Sequence, residues 1–202
     1  NFGANLGIEV TISGTVGAAL EDADFGIPAL AVSQEMGPEH HLAGNSGADF
    51  EAAKAFIRHF AELALSDQKA DDVDVLNINV PASATDETPW RLTRLSRHRY
   101  FLPVPPDRAN GEGRPGYRLI ENVTCAEPGS DIHSVMVDRS VSVTPLSLDL
   151  TSRVAMDGRA RSLADRPVVR LKRLLSAPKT WGGNGRCQIC GAVARPAGEG
   201  SE

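Results

Sequence analysis

The segment from Asn1 to Glu21, NFGANLGIEVTISGTVGAALE, holds the most suggestive chemistry in the chain. Its Gly and Asn residues offer backbone amides in a permissive loop, Asn5, Ser13 and Thr15 add amide and hydroxyl groups, and a helix opens just after Ser13. Unpaired N–H groups, the positive end of a helix dipole and short polar side chains are what a small oxyanion needs. Asn1 also brings a neutral oxygen suited to a hard divalent cation. The same residues equally describe a tight turn followed by a Ser-capped helix, so these features alone leave both readings open.

Such a loop needs a sheet behind it. Residues 1–15 read as loop; Ser13 then caps a helix whose Val16, Ala19, Leu20 and Ala23 share one stripe, and Gly26 with Pro28 stops it. PALAVS, from Pro28 to Ser33, is short and apolar, as a strand buried in a parallel sheet would be. A second helix places Phe50, Ala53, Ile57, Phe60 and Ala64 on one face, and Val73 to Val80 follows as a strand ending at Pro81. Strand, helix and strand make a βαβ unit.

The pattern then changes. Arg91 to Arg97 alternates polar and apolar residues, while Tyr100 to Val104 and Tyr117 to Ile120 flank the turn-rich PPDRANGEGRPG. This predicts a β-hairpin arm over residues 90–122, suited to oligomerisation. Val141 to Thr144 reads as a last strand before Pro145, Asp131 as the N-cap of a short turn, and Asp149 or Thr151 as a further cap. Arg166 to Leu175 is basic, and residues 182–202 are Gly-rich and read as disordered.

Composition narrows the function. The 202 residues suffice for one α/β domain with an appendage, and a net charge of −5 argues against a nucleic-acid polymer as partner. Three cysteines are too few for a disulfide scaffold and point to the cytoplasm. No apolar run approaches the roughly 20 residues of a membrane span. The start at Asn1, inside a glycine-rich segment, reads as the start of a fragment.

Several features have a bland reading beside the chemical one. Cys187 and Cys190 have zinc-knuckle spacing, yet Cys125 is remote and a structural site needs four ligands. His40 and His41, beside Glu39, suggest an exposed loop more than a metal site. His59 and His98 stand alone, and His133 lies near the Gly129–Asp131 block. Trp90, Tyr100, Phe101 and Tyr117 fit packing within or between subunits, or stacking on a base.

The opening segment resembles the G-I-N-x-G-x-N-L-G-x-D-V-x-Y-S-G-T-V-x-A-A-x-E signature of SurE-type nucleotidases from its Asn onward. Three further blocks follow in family order: GIPALAVS at 26–33, LNINVP at 76–81 and SVSVTPLSLDLT at 140–151. The GSD at 129–131 stands where that family has Gly-Thr-Asp. The agreement covers about 1–160, leaving 161–202 as a divergent tail.

The resemblance implies a Rossmann-like α/β fold, with a mostly parallel sheet, helices on both faces and a protruding hairpin arm, whose N-terminal part is missing from this chain. It also implies a phosphomonoesterase using one divalent ion, Mg or Mn, to hydrolyse nucleoside 5′- and 3′-monophosphates, as a homodimer or homotetramer. By that resemblance Asn1 is a metal ligand, and Asn5, Ser13, Gly14 and Thr15 surround the phosphate. The family's Asp-Asp pair is absent; Asp71-Asp72 sits in a helix-to-strand turn and does not replace it, so the catalytic residues are not identified and the chain alone is expected to be inactive. Ile12 stands where the family has Tyr. A non-catalytic phosphate-binding or oligomerisation module, or a phosphatase for polyphosphate or other phosphomonoesters, are the alternatives.

Overall fold

The computed structural model describes residues 1–36, 49–66, 71–106, 116–119, 123 and 126–151. The opening segment is not loop throughout: Gly7–Ile12 winds into a 3-10 helix. Its Ile, Val and Thr residues are poor helix formers, and the turn is held from outside by partners described below. Helix α1, Gly14–Asp24, starts where expected, with Ser13 Oγ accepting the Val16 N–H at 3.2 Å. It ends at Gly26, which takes φ 75°, a left-handed conformation that glycine adopts without strain.

Strands β1, Ala29–Gln34, and β2, Val75–Val80, pair in parallel from Ala29↔Val75 to Gln34↔Val80. The helix between them, α2, spans Glu51–Ala64 and buries Ala52, Ala53, Phe56 and Phe60. The stripe centres on the Phe56–Phe60 line, so Ile57, expected in the core, lies on its shoulder at 40% exposed. Strand β3, Trp90–Leu92, pairs in parallel with β6, Val141–Leu146, which runs antiparallel to β2. The sheet order is β1-β2-β6-β3, with two parallel pairs around one antiparallel pair.

Strand β6 runs through Pro145 rather than stopping before it. Leu146 faces β2, where its carbonyl accepts the Asp74 N–H at 2.9 Å, so Pro145 faces the opposite side, past the last β3 pairing at Leu92↔Val143. A missing N–H costs nothing on an unpaired edge.

Alternation along β2 divides the core. Ile78 and Val80 meet α2 on one face, together with Val141 and Val143; Val75 meets Val16 and Ala19 of α1 on the other. Helices thus cover both faces of an α/β sheet, and each fully buried Val or Phe contributes about 1.5–3 kcal/mol.

Within the 90–122 segment, Trp90–Leu92 belongs to the main sheet. The arm is the separate antiparallel pair β4, Phe101–Val104, and β5, Gly116–Leu119, in register from Phe101↔Leu119 to Val104↔Gly116. Helix α3, Asp131–Met136, is capped by Ser130, whose Oγ accepts the His133 N–H at 3.3 Å. Asp131, expected as the cap, is one residue inside the helix and is fully buried.

The chain divides into two compact units, Asn1–Leu148 and Asp149–Glu202. In the second, Asp149 Oδ1 accepts the Thr151 N–H at 2.8 Å; the helix expected to follow falls outside the described residues. His40, His41, Cys125, the 166–175 basic run and the Cys187/Cys190 pair lie outside the described residues.

Candidate functional site

Asn1 enters beside the end of β1. Its carbonyl accepts the Gln34 N–H at 3.1 Å, and Gly3 N–H donates to the Gln34 carbonyl at 2.9 Å, a parallel bridge that fixes the entry of the loop. The Asn1 side chain stays at the surface, its Nδ2 reaching the Gly3 carbonyl at 3.3 Å.

Strand β2 grips the next part of the loop. Asn77 and Asn79 are two residues apart on one face of an otherwise apolar strand and are fully buried. Asn79 Oδ1 accepts the Asn5 N–H at 2.8 Å, while Asn77 Nδ2 and Asn79 Nδ2 donate to the Asn5 carbonyl at 3.0 and 3.1 Å. The Asn5 side chain is also engaged, donating from Nδ2 to Ser33 Oγ on β1 at 2.6 Å. Backbone groups that a loop would leave bare are thereby paired at the C-terminal ends of two parallel strands, where open α/β sheets bind ligands.

A cleft of about 350 Å³ opens in front of this loop. Asn1, Asn5 and Ser13 line one wall; Arg99, Phe101 and Tyr117, from the arm and its approach, line the other. Gly14 and Thr15 stand in the first turn of α1 just behind Ser13 and do not line the cleft. Ser13 Oγ takes the Val16 N–H, and Gly14 and Thr15 carry the first N–H groups of the helix, which have no partner within it. The arrangement offers an anion the positive end of a helix and, across the cleft, the Arg99 guanidinium.

Glu9 joins the two walls. It is 7% exposed, and its Oε2 accepts the Tyr100 N–H at 3.1 Å. Burial raises its carboxyl above the ordinary carboxylate range, against the pull of the Tyr100 and Phe101 N–H groups and of Arg99. Burial likewise pushes the Tyr100 phenol up to about 12.

Ile12 lines the cleft and is 80% exposed. Tyr117 meets Phe101 edge to face at 5.3 Å. Trp90 instead packs against Phe60 at 5.2 Å and His59 at 6.2 Å, beside a second hollow that holds none of the expected site residues. His133 Nδ1 lies 3.4 Å from Asp138, and His98 Nε2 lies 3.9 Å from Glu127; neither histidine lines the cleft. Asp72 occupies a turn at φ 63° and accepts a hydrogen bond from Ser147 Oγ at 2.6 Å.

Glu9, Asn77, Asn79 and Arg99 do not stand out in the sequence as site residues. Paired asparagines at i and i+2 in an apolar strand were a usable signal, because polar side chains on a buried face need partners. A carboxylate between Ile8 and Val10 was another.

The donors present do not fit a complete metal centre. Asn1 offers one neutral oxygen, and the described residues contain no group of three or more His, Cys, Asp or Glu placed to hold an ion.

Comparison with known proteins agrees with this architecture. The family model described as Survival protein SurE matches residues 1–101. The 5′-nucleotidase SurE of Thermococcus gammatolerans is 41% identical over 155 residues, covering 76% of this chain and 58% of the relative. The protein of the same name from Thermococcus kodakarensis is 39% identical over 155 residues, covering 76% and 60%. The crystal structure of the SurE protein from Aquifex aeolicus superposes with a TM-score of 0.52 at 28% identity, over 79% of this chain and 62% of that one. The chain thus spans about three fifths of the length of the curated relatives it matches. The order of its strands and helices, the Asn-gripped glycine-rich loop and these matches together place the chain in the SurE family.

Proposed function

We propose that the chain is part of a phosphomonoesterase that hydrolyses nucleoside 5′- and 3′-monophosphates to nucleoside and phosphate. One observation carries the reading: Asn1, Asn5 and Ser13, at the N-terminal end of α1, line a single cleft that also faces Arg99. The printed name of the Thermococcus relatives, 5′-nucleotidase SurE, supports the same substrate class.

In this reading the phosphate sits at the mouth of α1. Ser13 meets its oxygens from the cleft wall, and the N–H groups of Gly14 and Thr15 just behind it add the positive end of the helix, which stabilises negative charge. Asn5 acts through the loop: its backbone is fixed by Asn77 and Asn79, so the loop needs little reorganisation when a ligand arrives. Arg99 supplies the opposing positive charge, and Phe101 and Tyr117 give the nucleoside an apolar wall.

Dependence on a divalent ion, Mg or Mn, belongs to the proposal. Asn1 would supply one oxygen ligand, and the others would lie in the part of the family's length that these 202 residues do not span. The chain alone is then expected to release no phosphate. No described helix is long and apolar enough to cross a membrane; a cytoplasmic homodimer or homotetramer, assembled through the arm, completes the proposal.

The test is phosphate release from a panel of nucleoside monophosphates, polyphosphate and other phosphomonoesters, with Mg²⁺ or Mn²⁺. It is run on the 202-residue chain and on a version extended to the family's length. Turnover of nucleotides by the extended protein, lost with chelator and with Asn1→Ala, supports the reading. Phosphate binding without turnover of any substrate makes the chain a binding or assembly module instead.

A further inference from the structure

The residues between β3 and β4 form the root of the arm, and two buried carboxylates tie that root to the glycine-rich segment. Asp131, fully buried at the start of α3, accepts the Gly7 N–H on Oδ2 at 2.6 Å and the Ser96 N–H on Oδ1 at 2.8 Å. Oδ1 also accepts its neighbour's N–H, from Ile132, at 2.8 Å. Glu9, two residues beyond Gly7, holds the Tyr100 N–H at 3.1 Å. The root is pressed close: a Cβ built on Gly7 would lie 2.5 Å from the His98 carbonyl oxygen.

We infer that Asp131 and Glu9 are positioning residues that make the geometry of the glycine-rich loop depend on how the root of the arm is seated. A carboxylate with one oxygen on each of two elements cannot follow either alone. If Ser96 moves outward, Asp131 must drag Gly7 or lose a buried charge-assisted hydrogen bond, and Tyr100 likewise draws on Glu9. Asn5 and Ser13 flank the 3-10 helix that carries Gly7 and Glu9, so the displacement reaches the cleft wall. The connection is physical and contiguous, as coupling between two elements requires.

The inference rests on the reading of that wall as the phosphate-binding half of the site. Its consequence is regulatory: a load on the arm, from assembly or from a ligand held between arm and loop, retunes the phosphate wall.

Two measurements on the 202-residue chain test it. The first, amide hydrogen exchange by NMR, needs no ligand. Gly7, Ser96 and Tyr100 are expected to lose protection together in Asp131→Asn, and again in the milder Glu9→Gln. Loss at Ser96 or Tyr100 alone, with Gly7 still protected, would overturn the coupling.

The second is the affinity for AMP. Asp131→Asn is expected to weaken it by roughly tenfold, whereas Ser134→Ala, on the same helix but bonded to Ser140, lowers the melting temperature without changing affinity. Equal weakening by both variants, or none by Asp131→Asn, would reduce Asp131 to a purely structural role. Should the wild-type chain bind no AMP, the nucleotide reading of this chain fails, and hydrogen exchange still decides the coupling.

Discussion

Asn79 holds Asn5 as a neighbouring strand would: its Oδ1 takes the Asn5 N–H at 2.8 Å and its Nδ2 returns a hydrogen bond to the Asn5 carbonyl at 3.1 Å. A primary amide mimics a peptide group, so one buried side chain does the work of a two-bond ladder step. The glycine-rich segment thereby gains a fixed position without a regular strand of its own.

Asn79→Asp keeps the acceptor and removes the donor; Asn79→Leu removes both. Asn79→Leu is expected to cost about 1–3 kcal/mol, because the half-buried Asn5 N–H and carbonyl both lose their Asn79 partner. Asn79→Asp adds an ionisable group in a dry position and is expected to become more destabilising as pH rises. Urea unfolding at acidic and neutral pH separates the two. Equal stability of both variants and the wild type would remove the clamp from the account.

Gly7 combines φ 57° with the close His98 carbonyl, so Gly7→Ala meets both backbone strain and a steric collision. The strain alone is worth about 1–3 kcal/mol, and the collision adds to it because a backbone carbonyl cannot rotate aside. Thermal unfolding should show a large drop, whereas Gly17→Ala, with open space around its Cβ, should be neutral or stabilising.

Asp131 and Glu9 fix the sign of a pH dependence. Burial raises both carboxyls above their ordinary values, outweighing the N–H groups that favour the ionised form. Between about pH 4 and their raised values the native state therefore binds more protons than the unfolded chain. Their contribution is complete below the ordinary value and is lost as pH rises through the raised one. Glu127 acts in the opposite sense: although burial works against it, hydrogen bonds from Ser96 Oγ and the Arg97 N–H hold its carboxyl low, so its contribution is lost as pH falls. Urea midpoints across the mildly acidic range should fall less with rising pH in Asp131→Asn than in the wild type. An unchanged slope contradicts the assignment.

Ser13→Ala removes the cap of α1 and is expected to cost about 0.5–2 kcal/mol, with Ser13→Gly milder by calorimetry. In the family-length protein, Ser13→Ala should also lower nucleotide turnover, because the cap lines the cleft. A purely thermal effect would separate the cap from the site.

Much of the fold was legible in the sequence. The α1 stripe and its Ser13 cap, the two parallel strands around α2 and the strands of the arm follow from periodicity and turn residues, which are local signals. The 3-10 helix was not, because the bonds that hold it come from Asp131 and Glu9, the former more than a hundred residues away. Asp131 was misassigned for the same reason: a Ser-Asp pair before a helix leaves the cap ambiguous, and only the fold shows Gly7 and Ser96 waiting for a carboxylate. At the site, Asn1, Asn5 and Ser13 were singled out by type and resemblance. Arg99 was hidden among the Arg and His residues of 91–99: it is itself exposed, and nothing local tells a cation beside a cleft from one on an open face.

The most direct test of the account follows the backbone amides of the 202-residue chain by NMR while inorganic phosphate, then AMP, is added. The account predicts saturable shifts of the Gly14 and Thr15 N–H signals with both ligands, and further shifts at Phe101 and Tyr117 with AMP alone. Shifts that avoid α1, or that never saturate, would contradict the placement of the phosphate at the mouth of that helix.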